Sequence, residues 1–422
     1  MNIIVCLKQV PDTNEVKIDP VRGTLIREGV PSIINPDDKN ALEEALRIKD
    51  ENEDVKVTVL SMGPPQAEIA LVEAIAMGAD EAILLSDRAF AGSDTWATST
   101  AIAAGIKAIG DYDMIFCGRQ AIDGDTAQVG PQIAEHLNIP QITYVEELKL
   151  ENGKVRAKRA LEDGYFVVES EYPVLITAIK ELNEPRYPSI RGIYEGFNGG
   201  KIRVLSAKDV NADINNIGLD GSPTQVNKSF TPPGRGEKCI GCGTCVDSCP
   251  FDAIDMIEDK AVINDKCTAC GTCIEVCPVE AIMREEEEKE DNNIEEYSGV
   301  WVFAEQRAGE LLNVAIELLG EGKKIANELN TELTAVLLGK NVDDIAETLV
   351  KYGADNVLYG DSELLNVYTT DGYTKVICDL INERKPEILL IGATNIGRDL
   401  GPRISSRIHT GLTADCTRLE VD

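Results

Sequence analysis

The 422-residue chain carries 73 acidic and 41 basic residues, a formal net charge of −32, with 43% hydrophobic residues. That acidity repels nucleic-acid phosphates and anionic membrane surfaces, and the apolar share supports packed cores, which sets aside a nucleic-acid binder and a globally disordered chain. No run reaches the ~18 consecutive apolar residues of a bilayer span, Asn2–Leu7 is too short for a signal peptide, and twelve cysteines without an export signal point to a reducing, cytoplasmic setting in which clustered cysteines bind metal.

Asn2–Leu7 reads as a strand. Asn35-Pro36-Asp37-Asp38 is a cap-like turn before the helical stripe of Ala41–Lys49. Strands follow at Val55–Leu60, Ala82–Leu85 and Met114–Cys117, interleaved with helices at Pro65–Met77, Thr95–Ile109 and Ala127–Leu137. Strands alternating with helices imply βαβ units and a doubly wound parallel sheet covered on both faces. From Glu146 to Lys180 the turn signals Asn152-Gly153 and Asp163-Gly164 predict an antiparallel hairpin addition. Gly218–Lys238 lacks periodicity and marks a boundary. Glu285–Glu296 reads as a solvated, self-repelling linker. After it the βα pattern resumes: strands at Val300–Ala304, Leu333–Leu338, Val357–Gly360 and Ile388–Gly392, helices at Leu311–Leu329, Val342–Tyr352, Tyr373–Glu383 and Pro402–Ile408.

The two α/β parts read as repeats. Met77-Gly78-Ala79-Asp80 parallels Tyr352-Gly353-Ala354-Asp355, Ile115-Phe116-Cys117-Gly118 parallels Leu389-Leu390-Ile391-Gly392, and each copy then reaches Gly-Pro, at Gly130-Pro131 and Gly401-Pro402. The loop after the fourth strand is longer in the first copy.

Cys239, Cys242, Cys245 and Cys249-Pro250 form a CxxCxxCxxxCP run, and Cys267, Cys270, Cys273 and Cys277-Pro278 repeat it. Three cysteines at two-residue intervals wrap three corners of a cubane cluster, and the fourth reaches the other cluster in two-cluster ferredoxins. One [4Fe–4S] cluster is therefore assigned to Cys239, Cys242, Cys245 and Cys277, the other to Cys267, Cys270, Cys273 and Cys249. Structural zinc is the weaker fit, because it uses separated CxxC pairs. The remaining cysteines, Cys6, Cys117, Cys378 and Cys416, read as core residues, and neither His136 nor His409 has a partner at catalytic spacing.

Gly118–Pro131 lies between a strand's carboxyl end and a helix start, where open α/β sheets bind ligands and helix-start amides hold phosphates. Composition alone leaves an ordinary connection open, since Gly, Asp and Thr are also turn and cap residues.

Over residues 1–233 the chain resembles the β subunit of an electron-transfer flavoprotein. Leu7-Lys8-Gln9-Val10-Pro11-Asp12, Asn35–Asp38 with Ala41–Ala45, the Gly118–Pro131 loop and Asn183-Glu184-Pro185-Arg186-Tyr187-Pro188 carry that resemblance. Residues 299–422 resemble the first domain of the α subunit through Val302–Glu305, Gly392-Ala393-Thr394 and Gly411–Asp415. The cysteine segment resembles the ferredoxin-like extension of some α subunits in anaerobes. The resemblance implies two doubly wound α/β domains flanking a small α+β ferredoxin-like domain, with boundaries at 1–228, 229–283, an acidic linker at 284–298, and 299–422. It also implies AMP, or in bifurcating members FAD, held at Cys6, Asn35, Pro36, Asp37, Asp38, Met62, Gln120, Ala121, Ile122, Asp123, Gly124, Asp125, Thr126, Ala127, Gln128, Val129, Gly130 and Pro131. Phosphates are expected on Gln120–Pro131 and adenine near Cys6 and Asn35–Asp38, with binding indifferent to Arg398. Residue 422 falls near where the α subunit's FAD domain begins in the family, so that domain, or a complementary subunit, is an expected partner. NADH, ferredoxin and an acyl-CoA dehydrogenase-type flavoprotein are the others. The implied function is electron transfer between FAD and two [4Fe–4S] clusters. The competing reading is an AMP-stabilised assembly module in which the ferredoxin part alone moves electrons.

Overall fold

The computed structural model describes residues 1–12, 32–224, 242, 244–247, 254–257, 260–263, 296–416, 419 and 421. The chain divides into two units, one of residues 1–10, 32–225 and 293–422, the other of residues 11–31 and 226–292.

The first unit is built on two large sheets. In its first lobe β1 (Asn2–Cys6), β2 (Lys56–Met62), β3 (Glu81–Leu85), β4 (Met114–Gly118), β5 (Gln141–Glu151), β6 (Lys154–Leu161), β7 (Gly164–Glu171), β8 (Val174–Ala178) and β9 (Ile202–Leu205) are ordered β9-β3-β2-β1-β4-β8-β5-β6-β7. Pairing is parallel from β9 through β5 and antiparallel along β5-β6-β7. Around the sheet run α1 (Pro36–Glu51), α2 (Glu68–Met77), α3 (Thr95–Ile109), α4 (Val129–Leu137) and α5 (Ile190–Asn198). Residues alternating along β1 feed two apolar layers, Ile3 and Val5 on one face and Ile4 and Cys6 on the other. That is the double covering a parallel sheet requires.

The second lobe contains β10 (Val300–Phe303), β11 (Leu333–Gly339), β12 (Asn356–Asp361) and β13 (Ile388–Leu390), with α6 (Asn313–Glu328), α7 (Asp343–Lys351), α8 (Thr370–Arg384) and α9 (Asn395–Arg407). Its all-parallel order, β12-β11-β10-β13, reproduces β3-β2-β1-β4. Local chemistry repeats too. Asp80 Oδ2 accepts from Val57 N at 2.8 Å while Lys49 Nζ donates to Oδ1 at 2.6 Å; Asp355 Oδ2 accepts from Leu333 N at 2.9 Å while Lys323 Nζ donates to Oδ1 at 2.6 Å. The preceding Gly78 and Gly353 both take left-handed backbone, at φ 134° and 107°, which suits glycine.

Several elements depart from the sequence reading. The hairpin turns at Asn152-Gly153 and Asp163-Gly164 form as expected, but Val174–Ala178 returns to the parallel sheet between β4 and β5; all five of its residues are buried, so it has no solvent face to alternate toward. α4 starts at Val129 rather than Ala127, whose φ of 53° is not helical. α9 starts seven residues before the Pro402 expected to open it, because Thr394 Oγ1 accepts from Gly397 N at 2.9 Å and caps the helix there. Cys6, Cys117 and Cys378 are buried, but Cys416 is exposed, lying in the irregular stretch after α9 rather than in an element. α5 and β9 fall in a stretch where the sequence reading names no element, although Ile190, Ile193, Tyr194 and Phe197 follow a helical period.

The lobes meet around Asp399, which is fully buried and lies on α9. It accepts from Gln141 Nε2 at 2.8 Å, Thr143 Oγ1 at 2.7 Å, Tyr368 OH at 2.6 Å and Thr370 Oγ1 at 2.6 Å, with Arg159 at 3.3 Å. Burial alone would raise its carboxyl pKa; the Arg159 charge and these donors hold it below the usual value. Trp96 stands near both histidines, 5.4 Å from His136 and 5.6 Å from His409, and burial lowers His136 to about 4.

In the second unit, Ile254–Ile257 and Lys260–Ile263 pair antiparallel, and Thr244–Asp247 forms one helical turn.

Candidate functional site

β1 and β4 are adjacent, yet the chain leaves β1 toward β2 on one side while β8 and β5 lie on the other. Such a reversal opens a crevice at the carboxyl edge of a parallel sheet. Cys6 ends β1, Met62 ends β2 and Gly118 ends β4, which brings three separate stretches of sequence to that edge. Cys6, Cys117 and Met62 pack in one apolar cluster. The neighbouring Cys6 thiol and burial push the Cys117 thiol well up, so it stays protonated.

The start of α1 holds the Gly118–Pro131 loop to this edge. Asn35 is fully buried; its Nδ2 donates to Gln120 O at 2.8 Å and its Oδ1 accepts from Ile122 N at 3.0 Å. Asp38 accepts from Gly118 N and Lys8 N, each at 2.8 Å. Burial raises the Asp38 pKa to about 7 in spite of those two amides. Gly118 is required here, because a Cβ would sit 2.4 Å from Asp38 Oδ1 and 2.6 Å from Asp38 N. Asp37 stands 3.3 Å from Arg119, and burial outweighs that cation to raise its pKa. Lys8 Nζ reaches Asp123 at 2.7 Å, and Gln120 Nε2 donates to Asp125 Oδ1 at 2.9 Å.

Beyond Asp125 the loop changes character. Asp125 and Ala127 take left-handed backbone, at φ 49° and 53°. The amides of Thr126, Ala127, Gln128, Val129 and Gly130 donate to no acceptor among the described residues, and the Gln128 side chain does not cap α4. Consecutive free amides at a helix start form an anion cradle. In the second copy two amides at the corresponding helix start are already taken. Thr394 fills the start of α9 with its own hydroxyl. Asn395 N donates to Glu162 Oε1 at 2.6 Å, a carboxylate from the turn between β6 and β7 that Arg307 also holds at 2.7 Å.

Residues 22–209 and 300–422 match the electron transfer flavoprotein domain. The chain belongs to that family. Residues 235–284 match the 4Fe-4S dicluster domain, so the flavoprotein fold is joined here to an iron–sulfur segment. Over 232 residues the chain is 65% identical to the electron transfer flavoprotein subunit beta of Thermoanaerobacterium thermosaccharolyticum, covering 55% of this chain and 88% of that one. Over 263 residues it is 54% identical to the caffeyl-CoA reductase-Etf complex subunit CarD of Acetobacterium woodii (62% of this chain, all of the relative). Over 274 residues it is 50% identical to the acryloyl-CoA reductase electron transfer subunit gamma of Anaerotignum propionicum (62% and all).

Within this electron-transfer flavoprotein, the expected nucleotide residues Cys6, Asn35–Asp38, Met62 and Gln120–Pro131 lie at one sheet edge. Of the expected cluster ligands, Cys242 is exposed and Cys245 buried. Thr244 Oγ1 donates to Cys242 Sγ at 3.4 Å, and this hydroxyl with the Thr244 amide lowers the thiol pKa. Cys239, Cys249, Cys267, Cys270, Cys273 and Cys277 lie outside the described residues, as does the acidic run apart from Glu296, which pairs with Lys385. Sequence reasoning missed Cys117, Lys8 and Arg398 as neighbours of the site. The repeat alignment, which sets Gly118 against Gly392, could have pointed to the first and last. No helix among the described residues is long and apolar enough to cross a membrane.

Proposed function

We propose that the chain carries electrons between an FAD in the first lobe and two [4Fe–4S] clusters on the eight cysteines of residues 239–277, receiving them from NADH and delivering them toward ferredoxin or an acyl-CoA dehydrogenase-type flavoprotein in the cytoplasm. The observation that carries this reading is the run of free amides at Thr126–Gly130. The net charge of −32 repels a pyrophosphate in general, and a local cluster of N–H donors at a helix start offsets that repulsion. Asn35 and Asp38 fix the loop that presents these amides. Cys6, Cys117 and Met62 line the crevice with apolar surface suited to an adenine ring.

An FAD held there would supply a carrier that takes up two electrons together and releases them one at a time, as one-electron iron–sulfur clusters require. The chain's own residues supply position and electrostatics. Two relatives are named for CoA-ester reductase systems, which supports the acyl-CoA flavoprotein as partner. A docking face fits it. Gly192 and Gly196 let α5 approach Ala76 and Val72 of α2 closely, and this leaves Tyr187, Ile190, Tyr194 and Phe197 exposed together, an apolar patch of the kind that marks interaction sites. A complementary α-subunit FAD domain is the other expected partner.

Anaerobically purified protein, denatured and chromatographed, tests the reading. Release of FAD supports it. Release of AMP alone assigns the site to assembly and leaves electron transfer to the clusters. Absence of any adenine nucleotide overturns it.

A further inference from the structure

Two features of the Asp125–Gly130 cradle are held from outside it, by the second lobe. Arg398, near the start of α9, donates through NH1 to Asp125 O at 3.2 Å, and its NH2 pairs with Asp415. Gln128 Nε2 donates to Leu412 O at 3.2 Å, while Thr95 Oγ1 donates to Gln128 Oε1 at 2.6 Å. The residues so held are Asp125 and Gln128. Between and beside them, Asp125 and Ala127 sit at φ 49° and 53°, a region that costs a residue with a Cβ roughly 1–2 kcal/mol. Strained backbone of this kind persists only where surrounding contacts determine it. On the amino-terminal side the loop is anchored by Asn35 and Asp38 up to Ile122. From Asp125 O to Gln128 the hydrogen bonds that reach the loop from outside it and α4, among the described residues, come from Arg398, Thr95 and Leu412; Gln128 O accepts from Gln132 N within α4.

We propose that Arg398, with the main chain at Leu412, is a positioning device: the second lobe sets the left-handed turns at Asp125 and Ala127 and thereby aligns the Thr126–Gly130 amides for a phosphate bound by the first lobe. The inference rests on the nucleotide reading of that loop, and it replaces the expectation that binding is indifferent to Arg398. It gives the second repeat, whose own helix start is filled by Thr394 and Glu162, a part in binding at the first. Any displacement of α9 or of residues 411–415 would then be felt as a change in nucleotide affinity.

The test uses the full chain and AMP, the moiety common to both expected ligands. AMP affinity is measured by calorimetry for the unsubstituted protein, for Arg398→Ala, and for Arg398→Ala combined with Ala127→Gly. Amide hydrogen exchange over residues 119–128 is followed without nucleotide, since the Gly124 and Asp125 amides donate to Ala121 O within the loop and the Ile122 amide to Asn35 Oδ1. Arg398→Ala is expected to weaken AMP roughly tenfold, as loss of a hydrogen bond from a charged donor does, and to speed exchange across the loop. Glycine takes left-handed backbone without the Cβ penalty, so Ala127→Gly is expected to recover part of the lost affinity; a simple loss of charge near the phosphate would not be rescued this way. AMP affinity unchanged within twofold, or weakened with exchange unaltered, overturns the proposal. Should the unsubstituted chain bind no AMP, the nucleotide reading fails by itself, and exchange decides the clamp: faster in Arg398→Ala supports it, unaltered overturns it.

Discussion

Gly118→Ala probes the joint between fold and site. The new Cβ would lie 2.4 Å from Asp38 Oδ1, 2.6 Å from Asp38 N and 2.7 Å from Asp37 C. Two of those three atoms are backbone at the first turn of α1, so no rotamer change relieves the clash. The start of α1 must withdraw by about 1 Å to restore ordinary contact, which is overpacking of the kind that costs about 1–3 kcal/mol. The same withdrawal stretches the 2.8 Å bond from Gly118 N to Asp38, and loss of a buried hydrogen bond to a charged or polar partner adds about 1–3 kcal/mol. The expected total is about 2–6 kcal/mol. Gly392→Ala, at the equivalent position of the second copy, meets the Val314 methyls at 2.7 and 3.4 Å; these belong to one movable side chain, and about 1 kcal/mol is expected. Urea unfolding of both variants against the parent, paired with AMP titration, gives the comparison. The reasoning is refuted if Gly118→Ala costs no more than Gly392→Ala, or if it binds AMP as the parent does.

Asp38 makes stability depend on pH. Its folded pKa, about 7 against an ordinary 3.8, means the folded state keeps a proton that the unfolded state has released. Its contribution is therefore most favourable below pH 4 and falls as pH rises from about 4 to 7, by roughly 4 kcal/mol. Asp38→Ala should be less stable overall, yet it should lack this part of the decline when unfolding is followed across that range. Asp399→Ala should destabilise by about 3–5 kcal/mol in thermal or urea unfolding, because it strands the buried Arg159 guanidinium; Arg159→Met in the same background should recover part of the loss. Anaerobic protein should contain about eight iron atoms per chain, and Cys242→Ala about four. A colourless protein holding two zinc ions would contradict the cluster assignment.

The α/β class and the repeat were legible because parallel strands buried on both faces read as apolar runs between helical periods. The repeated Gly-Ala-Asp marked a real structural device at Asp80 and Asp355. The direction of β8 is not legible, because its apolar residues carry no information about it; only the neighbours β4 and β5 decide that. The start of α9 is not legible either, because Pro402 reads as a helix start whereas the cap is the hydroxyl of Thr394. The nucleotide loop was visible as a Gly-, Asp- and Thr-rich stretch after a strand. Its anchors were less visible: Asn35 and Asp38 act across some 80 residues of sequence, and Arg398 across 273. Contacts of that range come from the docking of elements, which no local pattern encodes.

Electron uptake by the anaerobic chain tests the central claim most directly. Reductive titration under anaerobic conditions, followed by flavin and cluster absorbance, should consume about four electrons per chain: two at FAD and one at each of two [4Fe–4S] clusters. Uptake of about two electrons with no flavin bleaching would contradict the claim, since the first lobe would then hold no redox-active nucleotide.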